Sequence, residues 1–113
     1  MENTEFEKAK SFIIADILDY APNSITTRTL IKRNTGHVCV VSFDAGEVLG
    51  EKISRFDVFI QILEGNAEII IDHVSHKLSK EQAIIIPAHS SSSIKANERF
   101  RMMSTIIKSG YDL

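Results

Sequence analysis

The sequence predicts an all-β chain, closed into one small barrel or sandwich. Three observations carry that prediction: short β-branched segments recur along the chain, turn residues punctuate them at close intervals, and no segment sustains a capped 3.6-residue apolar repeat. Many short strands create many edges. Only closure or face-to-face packing satisfies so many unpaired backbone groups.

The chain begins with an irregular stretch through Asp19, Tyr20, Ala21, Pro22 and Asn23. Within it, Phe12, Ile13, Ile14, Ala15, Asp16, Ile17 and Leu18 read equally well as a short helix or an edge strand. Residues 25–33 form an extended run, Asn34-Thr35-Gly36 supplies a Gly-containing hairpin link, and residues 37–43 return. Asp44-Ala45-Gly46 closes this pair, and Gly50 loosens the segment that follows. Residues 56–63 and 67–72 flank Glu64-Gly65-Asn66 and read as a second hairpin. A further hairpin between Asp72 and Leu78 carries His73 and His76 as solvated turn residues. Residues 83–86 stop at Pro87, which has no backbone donor to continue a ladder. Residues 91–96 follow a polar loop, and residues 100–108 form the last long strand.

A length of 113 residues allows one compact domain, 1–113, with a modest core. Thirteen basic residues against fifteen acidic ones, without a tract of like charge, argue against nucleic acid or an anionic membrane as partner. Cys39 is the only cysteine, so no internal disulfide forms, and its apolar neighbours assign it to the core. The polar, acid-rich start, residues 1–5, lacks the basic n-region and apolar h-region of a signal peptide. No run approaches the roughly twenty apolar residues that span a bilayer. A soluble cytoplasmic protein is the expectation.

Gly46, Leu63-Glu64-Gly65 and Pro87-Ala88 carry a resemblance to the two motifs of the cupins, small β-barrels of jelly-roll type. The first cupin motif runs G, five residues, H-x-H, three or four residues, E, six residues, G; with the three-residue option Gly46 and Gly65 fall on its ends. The second runs G, five residues, P-x-G, two residues, H, three residues, N. Pro87 matches it, whereas Glu81, His89 and Ala96 stand where glycine, glycine and asparagine are expected. The chain therefore looks like a minimal single-domain cupin of the conserved-barrel kind, its motif-bearing core at 44–108 and an irregular segment before it. The resemblance carries the family's metal ligands onto Lys52, Ser54, Val58 and Ser92. An ammonium repels a cation, an aliphatic chain has no lone pair, and a neutral hydroxyl binds poorly. No metal and no cofactor are expected at that site, which reads as a degenerate one.

Strand alternation puts Phe56, Val58, Ile60 and Ile62 on one face, joined by Ser92, Ile94 and Ala96. The pocket built this way is apolar, edged by Lys52, Ser54, His89 and Ser92, and suits a small amphipathic molecule. A filled core is the equal alternative, because small barrels usually pack their interiors. His89 is the candidate for chemistry, as a general base near the mouth with Asp57 or Glu51 to orient it, although alternation turns Asp57 away. His73 and His76 with Asp72 lack further ligands at metal-site spacing, and His37 has no evident partner. Ser90 to Ser93 read as mouth loop and strand start, not linker. No G-x-S-x-G, HExxH, CxxC or phosphate loop occurs.

The opposite face, Asp57, Phe59, Gln61 and Leu63, is mixed, and is covered either by Phe12, Ile13 and Ile14 or by a second subunit. The resemblance favours a homodimer. Two functions follow: a metal-free barrel that binds a small molecule or acts in regulation or structure, and alternatively a small-metabolite enzyme, isomerase- or dioxygenase-like, using His89 and Lys52 or a relocated metal site.

Overall fold

The computed structural model describes residues 6–108; the polar start at 1–5 lies outside them. A single turn of 3-10 helix (Ile14–Asp16) precedes eight strands: β1 (Ile25–Arg33), β2 (Gly36–Phe43), β3 (Val48–Ile53), β4 (Val58–Ile71), β5 (Val74–Ser79), β6 (Ala83–Ile86), β7 (Ser91–Lys95) and β8 (Phe100–Ile107). The strand pairings among the described residues are antiparallel. This is the all-β jelly-roll barrel expected.

The expected hairpin at Glu64-Gly65-Asn66 does not form. Residues on both sides of Gly65 belong to one long strand, β4, which pairs with β6 and β8 in its first half and with β5 and β7 in its second. Gly65 takes φ +79° and the register with β8 slips between Ile62 and Glu64, so the strand bends across from one sheet to the other instead of reversing. A two-residue reversal of type I′ needs two consecutive residues at positive φ. Asp72 and His73 supply them, at 47° and 70°, and the β4–β5 hairpin turns there. His73 is accordingly an exposed turn residue, while His76 lies within β5, opposite Ile69. The loosened segment around Gly50 is a strand, β3, whose pairing with β7 shifts between Leu49 and Lys52.

Across these registers the inward-facing side chains fall into layers. Phe43, Phe100 and Gly65 align at one end, followed by Val41, Met102 and Ile62. Cys39, Ser104, Ile60 and Ile84 form the next layer, and His37, Ile106, Val58 and Ile86 the last. The first end is solid: Phe43 and Phe100 are fully buried and stack at 4.4 Å between ring centroids. Ile62, Ala67, Ile69, Leu78 and Ala96 complete the packing there.

The N-terminal segment is neither a full helix nor a strand. It is fastened to the outer face of the barrel through Arg101, whose Nε donates to the Leu18 carbonyl at 2.7 Å and whose Nη1 donates to Glu64 at 2.7 Å. The Tyr20 hydroxyl donates to the same Glu64, and the Arg101 guanidinium lies 4.3 Å from the Tyr20 ring centroid. Burial and that hydrogen bond push Tyr20 up to about 12. Coverage is partial. Val40 and Leu30 are buried, yet Phe59, Ile85 and Ile107 stay 38 %, 59 % and 59 % exposed, as do Phe12 and Ile13. Among the described residues, no helix is long and apolar enough to cross a membrane.

Candidate functional site

The end of the barrel away from the Phe43–Phe100 stack is hollow. A cavity of about 500 Å³ occupies it, lined by the two outer layers except Ile84, by Val41 and Met102 at its floor, and by Lys52, Ser54, Ser92 and Ile94 from the facing sheet. Both expectations for the interior therefore apply, each to one end: packed core around the aromatic stack, open pocket beyond it. The hollow follows from residue size, since Cys39, Ser104 and Ser92 place small side chains where the packed end has Phe43 and Phe100.

Lys52, Ser54, Val58, Ile60, Ser92 and Ile94 all line the cavity. Phe56 and His89 do not, and this corrects the pocket expected from strand alternation. Phe56 lies before β4 begins, in a bend where Ser54 Oγ both donates to the Phe56 carbonyl and accepts from its amide, at 2.9 and 3.1 Å. That Ser54 side-chain turn ends the alternation two residues early. His89 is exposed and sits at φ +68°, with its amide donating to the Ser54 carbonyl at 2.7 Å. Its place in the fold is conformational. The two positions where the cupin motif carries glycine, Glu81 and His89, both hold positive φ, 75° and 68°. Asp57 accepts from the Ala88 amide at 2.8 Å and Glu51 accepts from Ser91 Oγ, so both carboxylates hold the loop and strand next to the mouth.

Residue patterns had missed His37, Thr27 and Ser104 as lining groups. The signal was available: starting from Gly36, alternate residues His37, Cys39, Val41 and Phe43 face inward together. Burial and the charges of Lys108 and Lys32 hold His37 below its ordinary value. Burial pushes the Cys39 thiol up, and the Lys52 ammonium opposes that shift. Cys39 is thus a core residue that also borders the cavity. Ser92 is 6 % exposed, and no buried side-chain polar atom among the described residues lacks a hydrogen-bond partner.

A transition metal does not fit this donor set. The four positions that the cupin pattern assigns to ligands meet in one cavity, and they present an ammonium, two hydroxyls and an aliphatic chain. Among the described residues no three of His, Cys, Asp and Glu come together to hold an ion, His73 and His76 included.

The whole architecture recurs in solved structures. A conserved protein of unknown function from Streptococcus pyogenes superposes with a TM-score of 0.87 at 30% identity, over 94% of this chain and 92% of that one. A cupin superfamily protein from Desulfitobacterium hafniense gives 0.85 at 23% identity, over 93% and 95%. The chain has the cupin fold. Within that fold, the salicylate 1,2-dioxygenase of Pseudoaminobacter salicylatoxidans gives a TM-score of 0.69 at 15% identity, over 83% of this chain and 27% of the dioxygenase. No protein-family profile matches the chain, and no curated protein matches it in sequence.

Proposed function

We propose that this cupin is a metal-free binding barrel that takes a small amphipathic molecule into the hollow end, in a sensing, regulatory or structural role. One observation carries the reading: Lys52, Ser54, Val58 and Ser92 share one cavity, so the place where the fold holds a metal is rebuilt as an apolar pocket with a polar edge. The alternative, a small-metabolite enzyme, loses its base because His89 is outside the cavity and exposed. Lys52 and His37 both line the cavity, but no carboxylate lines it to orient either of them.

The exposed Phe59, Ile85 and Ile107 on the outer sheet face favour a homodimer that buries them. The unpaired Cys39 suits a reducing compartment, and the reading is of a cytoplasmic protein. Native mass spectrometry of untagged protein tests subunit count, metal and bound ligand together. The expected spectrum is a dimer without metal, carrying a small organic molecule or none. A stoichiometric transition metal would overturn the reading.

A further inference from the structure

We infer that the cavity is selective for a monocarboxylate with an apolar body, its carboxylate held at the rim by Lys52 and its body lying against Val58, Ile60, Ile86 and Ile94. The inference rests on the binding-barrel reading above and narrows it to one chemical class.

Charge at the mouth is one-sided. Lys52 reaches the cavity, no described carboxylate pairs with it, and the lining contains neither Asp nor Glu. The acidic groups nearby are engaged on the outer side, Glu51 with Ser91 Oγ and Asp57 with the Ala88 amide. Two further lysines extend the same inward face at the open end. Lys32 pairs across the β1–β2 hairpin with His37, and Lys108 follows Ile107 so that it alternates onto the face of Ile106. The displaced His37 agrees with this placement, since both lysines act on it. A pocket mouth with unpaired cations and low-dielectric walls attracts an anion.

The kind of anion follows from the donors. Lysine binds phosphate mostly in company with an arginine fork or a nest of backbone N–H groups, and the cavity lining has no arginine and no glycine. One ammonium, which carries three N–H donors, matches a single negative charge with two acceptor oxygens, and the Ser92 hydroxyl adds polarity beside it. The apolar walls beyond them demand that the remainder of the molecule be hydrocarbon.

Calorimetric titration with two matched probes, 4-phenylbutyrate and 4-phenylbutan-1-ol, tests the inference, with phenyl phosphate as the third. The expected result is that the carboxylate binds about tenfold more tightly than the alcohol, and that Lys52→Met removes this preference by weakening the carboxylate far more than the alcohol. Lys52→Gln, which keeps a donor but no charge, is the second variant if Lys52→Met fails to fold. Equal binding of acid and alcohol, unaltered by either substitution, would overturn the carboxylate inference and leave the binding barrel standing. Tighter binding of phenyl phosphate would overturn it as well. Binding of none of the three would defeat the binding reading itself and the inference with it.

Discussion

Single residues decide where this chain bends. Gly65 combines φ +79° with close packing: a Cβ there would overlap the Arg99 carbonyl oxygen and lie 3.0 Å from the Phe100 Cα. Gly46 has φ +88° but nothing within 4 Å of such a Cβ. Urea unfolding should therefore report a loss of about 1 kcal/mol for Gly46→Ala, from backbone strain alone, and well above about 2 kcal/mol for Gly65→Ala. Equal losses would mean that the crossing of β4 tolerates a side chain. At Glu81 and His89 the logic runs the other way, since each holds a positive φ that glycine adopts freely. His89→Gly is expected to be neutral or to gain up to about 1 kcal/mol, and to leave probe binding in the cavity intact. Lost binding in a folded His89→Gly protein would restore His89 to the site.

His37 adds a pH dependence that belongs to the same scale. Its folded-state value is lowered from 6.5 by burial and by Lys108 and Lys32, so the unfolded chain takes up its proton first as pH falls. The stabilising difference is present in full above pH 6.5 and is lost as pH drops through the folded value. Thermal melts from pH 8 down to about pH 5 should show a steeper fall in Tm for the parent than for His37→Gln. Parallel curves would place His37 in water.

At the scale of elements, β4 is the strand on which the barrel depends, because its two halves belong to the two sheets. The N-terminal segment depends on side chains instead. Arg101 bridges the Leu18 carbonyl and Glu64 and Tyr20 packs under it, while Ser42 Oγ donates to the same Leu18 carbonyl, so a few side chains hold a segment with a single helical turn of its own. Arg101→Met should release that segment. The expected outcome is faster amide exchange across residues 14–20, with a loss of about 1–3 kcal/mol, while β4 and β8 keep their protection. Uniform loss of protection would show that the segment is part of the cooperative core.

For the whole molecule, the asymmetry between a packed end and a hollow end sets the response to truncation. Phe100 is fully buried against Phe43, and Phe100→Ala should cost about 3–5 kcal/mol in equilibrium unfolding. Ile106 is only half-buried and borders the cavity, so Ile106→Ala removes fewer contacts and should cost less than about 2 kcal/mol. Comparable losses would mean that the hollow end is as tightly filled as the other. The packed end supplies stability. The open end is free to be chemically particular.

The sequence by itself located most of the extended runs, though neither β3 nor the continuity of β4, because alternation and turn chemistry are local properties of a strand; its resemblance to the cupin motifs supplied the jelly-roll class and the four positions that meet in the pocket. It also showed that those four residues make a poor metal shell, since ligand chemistry belongs to the residue type. Tertiary structure alone decided the rest. Glu64-Gly65-Asn66 has the composition of a turn, and only pairing with β8 on one side and β7 on the other makes it a crossing within a continuous strand. His89 follows Pro87 as a pocket residue would, yet its backbone conformation turns it to solvent. His37 had no partner in sequence and finds its place only when β2 and β8 align. Which end of the barrel stays hollow depends on the sum of side-chain volumes in each layer, and residues far apart in the chain contribute to every layer.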